Sequence, residues 1–130
     1  MNRVFTGKVS RIKKTISQQQ VVQWKELTFD FNQIYEKRNS KHEPLIPGIV
    51  CEALISEAIS KEMSGHSYVI LEKELIFLHP VSVGNTITVE LETTNVNTER
   101  DWITEKIRCL NEAGKEVIRG RVIVKTKKHN

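Results

Sequence analysis

Long apolar runs are missing from this chain. No stretch approaches the roughly 20 residues that span a bilayer, so no membrane span is expected. The start, "MNRVFTGKVSRIKK", carries charge but no apolar core of a signal peptide, and a cytoplasmic location is expected. Cysteine is scarce: Cys51 and Cys109 cannot make a disulfide framework. Cys51 stands in an apolar helical context and Cys109 in a strand-like one, so both are expected to be buried reduced thiols. No CxxC occurs and the four histidines are scattered, so neither a metal nor a cofactor is expected. No aromatic residues interleave with the basic ones, which argues against a nucleic-acid partner. Repeats and low-complexity segments are absent as well.

What is present suits one domain spanning 1–130, since 130 residues at 38% hydrophobic and 28% charged can bury a core without staples. The net charge of +4 comes from the ends, "RIKK" and "KTKKHN". Such ends aid solubility, and they would also attract a phosphorylated carrier or a nucleic acid.

"KVSRIKKTIS" alternates weakly through Val9, Ile12 and Ile16 and predicts an edge strand. Ser17 with Gln20 three residues later is a capping box. It opens a short helix to about Thr28, with Val21, Trp24 and Thr28 at helical spacing and Leu27 beside them. Residues 30–44 are polar and irregular, a loop by composition. At Pro47-Gly48 a second helix begins. Its apolar face, Val50, Leu54 and Ala58 flanked by Ile49, Ala53, Ile55 and Ile59, is wide enough for a core helix. Gly65 is its expected C′ residue. Strands follow: "YVILEKELIFL", with Val69, Leu71, Leu75 and Phe77 expected on one face, then "TITVELETTNVN", "WITEKIRCL" and "EVIRGRVIVKTK". "TERD" and the Gly114 turn "NEAGK" are the tight connections. The order predicts an α+β fold, an antiparallel sheet with a central helix on one face.

With these pieces placed, the chain resembles a hotdog-fold protein, a curved antiparallel sheet wrapped around a central helix. Within that fold it resembles the MaoC-like (R)-specific enoyl-CoA hydratase and 3-hydroxyacyl dehydratase group over nearly its whole length. "TISQQQVVQWKELTFDFNQIY" is similar to that group's opening helix and its D-x-N-P-x-H motif. "PGIVCEALIS" is similar to the HGMLxxxLIS start of its central helix. "LIFLHPVSVGNTITVELE" is similar to its xRFxxPVxxGDTxTxxxE strand-turn-strand, and "LNEAGKEVIRGRVIVK" to its closing hairpin.

Reversible hydration of an enoyl thioester needs a base for water, an acid for the α-carbon, and a donor for the thioester oxygen. The resemblance implies Asp30 as the acid/base, with Phe29, Phe31 and Ile34 as an apolar frame that would raise its pKa. It implies Asn32 as a supporting hydrogen-bonder and the Gly48 N–H as the oxyanion donor. Tyr35 stands in place of the motif His, a weak base that still donates a hydrogen bond. Gln33 replaces the motif Pro, and Pro47 replaces the His before Gly48. Pro47 and Ile49 then flank the oxyanion position. "PLIPGIVCEAL" is also similar to the PxxPGVxxxEA of β-hydroxyacyl-carrier-protein dehydratases, whose helix supplies a catalytic Glu. Glu52 falls one residue short of that spacing and otherwise reads as a rim or interface carboxylate. His42, in the loop between the two motifs, is either a displaced catalytic imidazole or an exposed loop residue.

The resemblance implies an acyl-CoA or acyl-carrier-protein thioester as substrate and a homodimer or larger homo-oligomer with the site at the interface. Two other readings remain: an inactive acyl-thioester binder or supporting subunit of a hetero-oligomer with an active dehydratase, and a hotdog thioesterase.

Overall fold

The computed structural model describes residues 4–32, 35 and 44–128. The chain order is β1 (Val9–Thr15), α1 (Gln18–Thr28), α2 (Gly48–Glu62), β2 (His66–Phe77), β3 (Thr86–Asn97), β4 (Trp102–Leu110) and β5 (Glu116–Lys128). All five strands form one antiparallel sheet in the order β1-β3-β4-β5-β2. β1 is an edge strand, as its weak alternation suggests.

Side-chain alternation builds the core. β3 turns Ile87, Val89 and Leu91 inward, and β4 turns Ile103, Ile107 and Cys109 inward. Their register sets Val89 opposite Cys109 and Leu91 opposite Ile107. Onto this row α2 lays Leu54, Ile55, Ala58 and Ile59, and its C-cap Met63 closes the end. A side chain of this size contributes about 1.5–3 kcal/mol on full burial. Cys51 and Cys109 are both free and buried in this core. Burial pushes their thiols up, to about 11 and about 12, so both are protonated at neutral pH.

The Ser17 capping box forms: the Gln20 N–H donates to Ser17 Oγ at 3.2 Å, and the Ser17 N–H donates to Gln20 Oε1 at 2.9 Å. Three expectations are corrected. Gly65, with φ +90°, lies two residues past the Met63 C-cap rather than one. α1 buries Val21 and Lys25, leaving Leu27 and Thr28 exposed and Trp24 half-buried. In β2 the single apolar face does not form: Val69, Leu71 and Phe77 are exposed, and a bulge between Ile70 and Glu72 shifts the register. The cause is topological. Among the described residues α2 packs mainly on β1 and β3, at the opposite side of the sheet, and touches β2 at the Glu52–Lys73 ion pair and the Gly48–Phe77 contact, so much of the β2 edge stays open.

Candidate functional site

The segment after α1 is held by short-range hydrogen bonds. Phe29 caps the helix in the left-handed region at φ 58°, and its N–H donates to the Lys25 carbonyl at 2.7 Å. A phenylalanine there is strained, and such strain gathers at sites that need a particular chain direction. Thr28 Oγ1 donates to the Trp24 carbonyl at 2.9 Å and accepts from the Asp30 N–H at 3.3 Å. The Asn32 N–H donates to Asp30 Oδ1 at 3.3 Å, an Asx turn that fixes the carboxylate. The Tyr35 N–H donates to the Asn32 carbonyl at 3.1 Å. The Tyr35 ring meets Trp24 edge to face at 5.7 Å between centroids. Partial burial, then the nearby Asp30 charge, raise the Tyr35 phenol above its ordinary range. Tyr35 is therefore a hydrogen-bond donor near Asp30 and not a base at neutral pH.

Among the described residues, the apolar frame expected around Asp30 does not enclose it. Asp30 is exposed, Phe29 is 78% exposed and Phe31 57%. Ile34, Gln33 and His42 lie outside the described residues.

The second half of the site is the start of α2. Pro47 occupies the N-cap and no side chain caps the first turn, so its leading N–H groups point out of the helix. The segment leading in is tied to the 78–85 turn: the Ile46 N–H donates to the Val81 carbonyl at 2.8 Å, and the Val83 N–H donates to the Pro44 carbonyl at 2.9 Å. The Leu78 and His79 N–H groups both donate to the Val117 carbonyl, at 2.8 and 3.3 Å. These ties bring Gly48 beside a pocket of about 260 Å³. Phe77 and Leu78, with Pro80, Val81 and Ile118, give it apolar walls, and Cys51 and His79 are its titratable side chains. Phe77 packs on Gly48 so closely that a Cβ there would stand 3.1 Å from the ring. Asp30 and Tyr35 do not line this pocket, so within one chain the two halves of the motif remain apart.

Ile49 is 58% exposed on the first turn of α2. Glu52 forms an ion pair with Lys73 of β2 and does not line the pocket, as a rim carboxylate would. A larger depression, about 470 Å³, lies over Gly120 between Glu74, Lys106 and Arg119 and contains none of the motif residues. Among the described residues, no three His, Cys, Asp or Glu side chains gather to hold a metal. No described helix is long and apolar enough to cross a membrane.

Sequence reasoning missed two features. His79 lines the pocket, although it falls in a turn that reads as a plain connection. Glu105, at an inward position of β4, is buried against Glu62 of α2 and Thr93. The inward phase of "WITEKIRCL" was its available signal.

A curved five-stranded antiparallel sheet with one central helix is the hotdog fold, and solved structures agree. The chain superposes on the (R)-hydratase from A. caviae involved in PHA biosynthesis with a TM-score of 0.86 at 24% identity, over 94% of this chain and 96% of that one. A second likeness is to the ChsH1–ChsH2 complex from Mycobacterium tuberculosis, TM-score 0.80 at 20% identity, over 96% and 100% of the two chains. Among curated proteins, the (R)-specific enoyl-CoA hydratase of Aeromonas caviae is 24% identical over 124 residues, 92% of each chain. The 3-hydroxybutyryl-CoA dehydratase of Methylorubrum extorquens is 28% identical over 128 residues, 94% of this chain and 80% of that one. No family profile matches the chain. Over nearly its whole length the chain resembles the MaoC-like (R)-specific enoyl-CoA hydratases.

Proposed function

We propose that the protein is a MaoC-like hydratase or dehydratase that interconverts 3-hydroxyacyl and trans-2-enoyl thioesters of coenzyme A or an acyl carrier protein. Asp30 is the acid/base group. The Gly48 N–H, at the uncapped N-terminus of α2, holds the thioester oxygen as charge develops on it. Asn32 supports the Asp30 turn, and Tyr35 donates a hydrogen bond where related enzymes have an imidazole. The observation that carries the reading is the Asx-turned Asp30 beside Tyr35, in a chain similar end to end to an enoyl-CoA hydratase.

The working unit in this reading is a single 1–130 domain paired with a second copy in the cytoplasm. Leu27 (80% exposed), Phe29, Phe31 and Ile49 leave apolar surface around the two half-sites, and a partner would cover it and desolvate Asp30.

The test is crotonyl-CoA hydration by wild type, Asp30→Ala and Tyr35→His. Wild-type turnover is expected, with Asp30→Ala lower by roughly 10²–10⁴-fold. An intact thioester throughout distinguishes hydration from thioesterase activity, which would release free thiol.

A second reading is a supporting subunit. It is favoured by Tyr35 and Pro47 standing where related enzymes have histidines, and by the likeness to a complex of two different chains. It predicts no turnover alone, and turnover or added thermal stability with an active partner.

A further inference from the structure

In the described part of the Asp30 half, Tyr35 stands where an imidazole is expected, and partial burial with the Asp30 charge raises its phenol. The pocket at the other half has an imidazole in its lining. Its walls contain two titratable side chains, Cys51 and His79. The Cys51 thiol is buried in the core and stays protonated. His79 is exposed at the opening and free to meet a substrate. Its position is fixed from the backbone: the Leu78 and His79 N–H groups share the Val117 carbonyl, and the turn is bonded to the segment that delivers Gly48. The imidazole and the α2 N-terminus therefore open on the same 260 Å³ space.

We propose that His79 supplies the imidazole that the Asp30 motif lacks and acts as the acid/base group at the α-carbon. The proposal rests on the hydratase reading. In hydration, with Asp30 brought to this pocket by the second copy of the proposed pair, Asp30 takes a proton from water and the water oxygen bonds to the β-carbon. The alkene electron pair moves toward the α-carbon and the thioester oxygen faced by Gly48. The His79 imidazolium gives its proton to the α-carbon, leaving a 3-hydroxyacyl thioester, neutral imidazole and protonated Asp30. A proton passed through solvent from Asp30 to His79 resets the pair. Dehydration is the reverse, with neutral His79 removing the α-proton.

The experiment is steady-state hydration of crotonyl-CoA and dehydration of 3-hydroxybutyryl-CoA across pH. It compares wild type, His79→Ala and His79→Gln, each checked for an unchanged melting temperature. Both variants are expected to lose roughly 10²-fold or more in kcat with KM changed less than about threefold. The wild-type pH limb that belongs to this acid/base group should vanish in both variants. That limb falls with pH in hydration and rises with pH in dehydration. Added free imidazole should restore part of the His79→Ala activity, which no structural role of the residue would produce. Full wild-type kcat in both variants overturns the assignment of His79 and leaves the hydratase reading standing. A change confined to KM makes His79 a binding residue and also overturns it. A wild type with no turnover in either direction overturns both readings.

Discussion

Thr93 and Glu105 face each other in the β3–β4 register, and Glu62 reaches them from the last turn of α2. Thr93 Oγ1 lies 3.1 Å from both Glu105 oxygens and 3.5 Å from Glu62 Oε1, and Ser10 Oγ donates to Glu62 Oε2 at 2.5 Å. Burial first, then the hydrogen bond and charge of Glu62, raise the Glu105 carboxyl to about 9, while Thr93 and Lys8 oppose the rise. The folded state thus holds a proton that an unfolded Glu loses near its ordinary value of 4.5. Stability from this group is complete below about pH 4.5 and is lost as pH rises toward about 9. Unfolding free energies from urea titrations should therefore fall from pH 5 to pH 9 by an amount on the order of a few kcal/mol. Glu105→Gln should flatten that fall. An equally steep fall in Glu105→Gln would show that the proton sits elsewhere. Asp30, Asn32 and Gly48 were identifiable in the sequence as candidates because each belongs to a motif with fixed spacing. Glu105 was not, because an inward carboxylate interrupts the apolar alternation that marks a core position. His79 was not either, because only the folded turn brings it to Gly48.

Local rules predicted the elements well where one chain satisfies them. The Ser17 capping box forms as its spacing requires, and Ser17→Ala should cost about 1 kcal/mol in thermal unfolding. A cost near zero would mean that α1 is held by its packing rather than by its cap. Gly120 is a contact of another kind. It pairs with Leu75 of β2 and Ile107 of β4, and a Cβ there would stand 1.9 Å from the Glu74 carbonyl oxygen. The two backbones touch, so Gly120→Ala should destabilise by about 1–3 kcal/mol or more. Chemical denaturation measures it, and wild-type stability in that variant would contradict the close approach. β2 misled the sequence reading for a physical reason. Its apolar residues suit a buried face, but α2 covers the far side of the sheet and leaves this strand at an open edge. Periodicity reports that a face is apolar without saying what covers it.

At the scale of the whole molecule, the open edge and the exposed apolar residues near Asp30 belong to one account. Val69, Ile70 and Leu71 are exposed along β2, and Leu27, Phe29, Phe31 and Ile49 around the half-sites. A single chain leaves Asp30 wet and apart from the Gly48 pocket. A second copy would cover this surface and remove water from the carboxylate. Sedimentation at micromolar concentration should give at least twice the 15.0 kDa chain mass. A monomer would contradict the paired site. The claim that matters most is that Asp30 performs acid/base work on an enoyl thioester. The most direct measurement is the loss of enoyl absorbance from crotonyl-CoA with wild-type protein beside Asp30→Ala. The account predicts turnover in wild type and a loss of roughly 10²–10⁴-fold in the variant. Equal rates in the two proteins would contradict it.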